Sequence, residues 1–139
     1  MLNLQDFFND QYKFALKKVI FNMHDNPIQE AKELNVEDSL THGIKDDMLL
    51  IEFKRKVHFD PESVFDIEVA FLIQINIFKE KVKEAENIDW TSELLEQKEN
   101  AYFLNVIPRA AGVISDITSS YGQPPIITPP VFVDSKDVR

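Results

Sequence analysis

Between Val64 and Phe78 the chain alternates so regularly that an extended strand is the conformation it fits. Phe65, Ile67, Val69, Phe71, Ile73, Ile75 and Ile77 fall on one side, and Asp66, Glu68, Ala70, Leu72, Gln74, Asn76 and Phe78 on the other. The preceding run repeats the pattern. From Met48 to Phe59, Leu49, Ile51, Phe53, Val57 and Phe59 point one way, while Leu50, Glu52, Lys54, Lys56 and His58 point the other. Asp60-Pro61-Glu62-Ser63 separates the two runs, with proline where a type I turn takes it, so the pair reads as a β-hairpin. An apolar row this long demands a cover, because exposed apolar surface forgoes about 25 cal/mol per Å².

The cover must come from the segment between Thr91 and Tyr121, giving two layers, a sheet and its helices. Val106, Ala110, Val113, Ile114, Ile117 and Tyr121 recur at steps of three and four, the signature of one helical side. Pro108 suits the first turn, and Gly122 suits the left-handed residue that closes a helix. Pro124 and Pro125 forbid continuation, so residues 123 to 132 should run as a stiff extended strap. Asp89 or Thr91 can cap a short helix in which Glu93 favours the N-terminal dipole, and Lys79 to Asn87 reads as a charged loop. Toward the N-terminus, Phe14 to Met23 is strand-like, with Ala15, Val19, Phe21 and Met23 on one side and Lys17 interrupting them. It reads as an edge strand. Asp25-Asn26-Pro27 signals a turn, and the charge density from Leu34 to Thr41 leaves its strand character open.

At 139 residues, 44% hydrophobic with 11 phenylalanines, the chain reads as one domain spanning 1–139, with 1–11 an N-terminal extension and 133–139 a short tail. The absence of cysteine excludes disulfides and thiolate chemistry and agrees with a cytoplasmic location. The first residues carry Asp6 and Asp10 rather than a basic start. No apolar run approaches the roughly 20 residues of a membrane span, so neither a secretory signal nor membrane insertion is expected. A net charge of −9 and a pI near 4.7 disfavour nucleic acid, whose phosphates are bound by Lys and Arg.

Nothing resembles an active site. His24, His42 and His58 have no partners at metal-binding spacing, so no metal is expected. Glu30 with Glu33, Asp46 with Asp47 and Glu84 with Glu86 sit in solvated, charged stretches. Ser115 lacks the flanking glycines of a nucleophile elbow, and Gly43, Gly112 and Gly122 cannot cradle a phosphate. We expect no enzyme and no cofactor. Surplus apolar side chains remain at Ile28, Leu72, Phe78, Trp90, Tyr102 and Phe103. They either close the core at loop entries or line a groove for extended polypeptide, in which main-chain bonding is sequence-blind and surrounding acidity would favour Lys- or Arg-bearing segments.

Pro108, Ala110, Ile114, Ser115, Ser119, Pro124-Pro125, Pro130 and Phe132, with Glu68-Val69-Ala70-Phe71-Leu72 upstream, resemble the SecB family of protein-export chaperones. The resemblance runs from Tyr12 to Phe132. It implies an α+β fold, a four-stranded antiparallel sheet with helices on one face, in a homo-oligomer, a dimer or a tetramer built from two dimers. The helix from Pro108 to Ser120 would join copies, placing Val113, Ile117 and Ser120 at the interface. It further implies that unfolded polypeptides or preproteins bind in clefts mapping to His24–Leu34 and Trp90–Phe103. Two departures weigh against delivery to the export motor SecA: Gln74 stands where the family has a docking glutamate, and the zinc-binding tail of many members is missing. The alternatives are a regulatory module with one dedicated partner, such as a toxin–antitoxin component, and a small-molecule carrier.

Overall fold

The computed structural model describes residues 2–23, 33–60, 65–98, 101–120 and 124–133. Four strands form one antiparallel sheet: β1 (Phe8–Met23), β2 (Glu33–Lys45), β3 (Met48–Asp60) and β4 (Phe65–Ile77), in the order β1-β4-β3-β2. Helices α1 (Val82–Ala85), α2 (Trp90–Glu96) and α3 (Val106–Ser119) follow, so the fold is α+β as expected. β3 and β4 pair from Met48↔Asn76 to Val57↔Ile67, which makes the hairpin. The Asp60–Ser63 turn assigned to it falls largely outside the described residues, as do Gly122 and the Asp25-Asn26-Pro27 turn.

The apolar row of β4 is sealed. Phe65, Ile67, Val69, Phe71, Ile73, Ile75 and Ile77 are all at most 5% exposed, and α3 lies against this strand. α3 presents Val106, Ile107, Ala110, Ile114 and Thr118 to the sheet, leaving Val113 and Ile117 half-buried on its flank. Pro108 is the third helical residue, where its missing N–H has no intrahelical role. α2 seats over β2, its Thr91 hydroxyl donating to the Leu40 carbonyl at 3.3 Å.

Four sequence expectations need correction. β1 begins at Phe8 rather than Phe14, and the stretch read as an N-terminal extension contributes Leu4, Phe7 and Phe8 to the core. A register shift between Leu16 and Lys18 makes Lys17 an extra residue. Ala15 therefore pairs with Leu72 on the outer face, while Tyr12, Phe14, Leu16, Val19, Phe21 and Met23 share the inner face with the β4 row. The segment from Glu33 to Lys45, left open, is a full strand opposite β3. Its Asp46-Asp47 neighbours form the tight connection between Lys45 and Met48, Asp46 at φ 56° in the left-handed region that Asp tolerates better than most residues. Finally, Lys79 to Asn87 holds a 3-10 turn and the single-turn α1, because Ala85 is fully buried and Val82 and Ile88 pack on the core.

Candidate functional site

A cleft of about 390 Å³ opens where the start of α3 meets the proline strap. Ala101, Leu104, Ile107 and Pro108 form one wall, and Pro130, Val131 and Phe132 the other. Lys98 stands at the rim, its Nζ 5.7 Å above the Phe132 ring. It is the one charged residue among the described lining, so the expected acidic surround is not what these residues present. A larger depression, about 540 Å³, lies on the outer face of the sheet. Its lining is the more polar of the two, and its charged groups include Lys56 paired with Glu68 at 3.7 Å and His58 with Glu37 at 3.4 Å. The apolar cleft is the better candidate, because burial of apolar surface is the general source of affinity for extended polypeptide.

The strap wall owes its place to a residue that the alternation passed over. Arg55 falls in the inward row of β3 between Phe53 and Val57 and is fully buried, as is the side chain of Asp38 opposite it on β2. Its Nε–H and one Nη2–H donate to the two Asp38 oxygens, both at 2.8 Å, a bidentate pair. Nη1 donates to Thr128 Oγ1 at 2.8 Å and to the Pro129 carbonyl at 2.6 Å, and Nη2 also donates to the Val131 carbonyl at 3.0 Å. All five guanidinium donors are thus used. Asp38 Oδ2 in turn accepts the Val133 N–H at 2.7 Å. At the other end of the strap, the Ile126 N–H donates to Thr118 Oγ1 of α3 at 2.8 Å. Phe132 packs at 6.3 Å on Phe53. The missed signal was the charged residue in an otherwise apolar inward row.

A second apolar surface follows β1. Phe14, Leu16, Val19 and Met23 face inward yet are 37–61% exposed. Arg109 of α3 reaches toward it, its guanidinium 4.8 Å from the Phe14 ring centre.

The anticipated groove residues do not come together. Trp90 is fully buried, its indole N–H donating to the Ala85 carbonyl at 3.0 Å and its ring edge-on to Phe7 at 5.3 Å. It is a core residue in the first turn of α2. Leu72 lies on the outer face beside Ala15 and Glu52, the opposite side of the sheet from Trp90. Phe78 is half-buried where β4 ends, its N–H donating to the Phe7 carbonyl at 2.8 Å. Tyr102 and Phe103 open a 3-10 turn leading into α3, beside the cleft residues Ala101 and Leu104; their side chains, and Ile28 altogether, lie outside the described residues.

Asp89 caps α2 by accepting from the Ser92 side chain at 2.9 Å and the Ser92 N–H at 3.4 Å. These bonds hold its carboxyl below the ordinary value of 3.8. Among the described residues no cluster could hold a metal ion, and no helix is long and apolar enough to cross a membrane.

Taken together, a four-stranded antiparallel sheet roofed on one face by helices is a fold this chain shares with a solved SecB-like chaperone. One solved structure of that fold is the Mycobacterium tuberculosis Rv1957 SecB-like chaperone, in complex with a ChAD peptide from the Rv1956 HigA1 antitoxin. The two share 10% identity and a TM-score of 0.63, over 86% of this chain and 88% of that one. No protein-family profile and no curated protein matches the sequence.

Proposed function

We propose that this protein is a SecB-like chaperone that holds extended or unfolded polypeptide in the cleft between the start of α3 and the strap. The observation that carries the reading is the apolar cleft itself, walled by Ala101, Leu104, Ile107 and Pro108 against Pro130, Val131 and Phe132, on a fold whose solved example binds a peptide. Tyr102 and Phe103, which stand in the sequence between the cleft residues Ala101 and Leu104, are the aromatic residues proposed to act in binding there. Copies associate through the α3 flank, Val113, Ile117 and Ser120, and the exposed inner side of β1 adds apolar surface to that assembly. Gln74, standing where the SecB family has a docking glutamate, supports a client-holding role without delivery to SecA.

The competing reading, a module dedicated to one partner, is favoured by the antitoxin origin of the peptide held by the solved example. Aggregation assays separate the two: a general chaperone protects several unrelated unfolded proteins at near-stoichiometric ratio, and a dedicated one protects few. Phe103→Asp is expected to weaken binding of a fluorescein-labelled unfolded polypeptide while leaving the oligomer mass intact. Unchanged titration would remove this residue from the site.

A further inference from the structure

We propose that Arg55 is a positioning residue for the cleft, acting through the main chain of the strap that forms its outer wall; this rests on the polypeptide-binding reading above. Arg55 does not line the cleft. Its acceptors, the carbonyls of Pro129 and Val131, bracket Pro130, and Pro130, Val131 and Phe132 make the wall.

The strap cannot hold itself. Pro124, Pro125, Pro129 and Pro130 have no N–H, so a strand ladder along this segment would lack every donor at those positions. Among the described residues, no main-chain to main-chain hydrogen bond ties residues 124–133 to the sheet or the helices. What replaces the ladder is one guanidinium. It supplies two carbonyls and the Thr128 hydroxyl with donors, and its partner Asp38 takes the Val133 N–H. The fully buried guanidinium needs acceptors for its donors, so the position of the wall is tied to that of the Arg55 fork.

The fork is itself immobilised. Both Arg55 and the Asp38 side chain are fully buried, and the bidentate geometry fixes the guanidinium plane. Lysine cannot reproduce this, having a point charge and no planar fork. Side chains along the strap contribute unevenly. Thr128 and Phe132 are buried, whereas Ile127 is 77% exposed and Val131 is 62% exposed. Beside the wall, then, two buried side chains and one latch hold the strap, while Ile126 and its bond to Thr118 hold the far end. A wall set in this way is pre-organised for an incoming chain. Loosening it lowers affinity by the fraction of time the wall spends in place, so occupancy of about one tenth lowers affinity about tenfold.

The chain has no cysteine, which permits spin labels at two introduced ones, Ile127→Cys on the strap and Glu96→Cys on α2. Pulsed electron paramagnetic resonance then reads the strap-to-helix distance, and titration with a fluorescein-labelled peptide of alternating leucine and serine reads affinity. The otherwise native protein should give one narrow distance and saturable binding. Arg55→Lys should broaden the distance and weaken binding about tenfold, with the Trp90 emission spectrum unchanged. Thr128→Val, which removes one acceptor and leaves the Arg55–Asp38 pair, should move both readouts in the same direction by less. Should Arg55→Lys fail to fold, Thr128→Val decides alone. A broadened distance with undiminished affinity overturns the positioning role and leaves the cleft reading standing. An unbroadened distance overturns the latch. Absence of saturable binding by the otherwise native protein sinks the cleft reading, and the positioning role with it.

Discussion

Ile114→Ala tests whether α3 is the roof on which the whole architecture depends. Ile114 is fully buried and sits between Ala110, also fully buried, and Thr118 on the side of α3 that faces the sheet. Truncating a buried isoleucine removes its transfer energy and leaves a cavity, together about 2–5 kcal/mol. Two features place this site in the upper half of that range, at about 3–4 kcal/mol: no solvent reaches it, and the floor below is a paired strand unable to collapse upward. With an unfolding entropy of about 2.1 cal/mol/K per residue, a 139-residue chain loses roughly 3–4 °C of melting temperature per kcal/mol, so a drop of about 10–14 °C is expected. The single tryptophan is an ideal reporter, being fully buried against Phe7 in the native state. Urea unfolding followed by its emission, at two protein concentrations to expose any contribution of assembly, gives the difference directly. The control is Ile117→Ala, three residues on and half-buried, which should cost about 1 kcal/mol within the folded subunit. Equal losses at the two positions, or a loss below about 1 kcal/mol at Ile114, would refute the assignment of the roofing side.

Two further outcomes are expected. Ile117→Asp puts a charge on the α3 flank proposed to join copies, so light scattering should report a smaller mass with Trp90 emission preserved; an unaltered mass removes that flank from the assembly. The Asp89 cap sets a pH dependence whose sign is determined by its lowered folded pKa. Its stabilisation of α2 is fully present above the ordinary value of 3.8 and is lost as pH falls through the lower folded value. Protection of the Ser92 amide, relative to the intrinsic exchange rate at each pH, should fall on acidification in that range, and Asp89→Asn should keep the cap while abolishing this pH dependence; an identical pH profile in the variant would contradict the assignment.

The hairpin of β3 and β4 was legible because alternation is a property of consecutive residues, and both its wet and its dry side were written out in the letters. The strap was legible for a similar reason: proline acts on its own backbone and on the residue before it. The inner face of β1 was not legible. A single inserted residue at Lys17 exchanges the two sides of everything before it, and nothing local distinguishes such a residue from a polar interruption. Trp90 was misplaced because a large aromatic serves equally well in a groove or a core; what decided was the arrival of Phe7 and Phe8 from a segment read as an N-terminal extension.

By itself, then, the sequence determined the period of β3 and β4, the helix that had to cover them and the stop imposed by Pro124-Pro125. Tertiary structure alone decided which charge would be buried and what it would hold. Arg55 meets Asp38 across 17 positions and Thr128 across 73, and its burial is tolerated only because every donor finds its acceptor at once. Such a constellation has no local signature, since its stability exists only when strand register, helix seating and strap path are all in place.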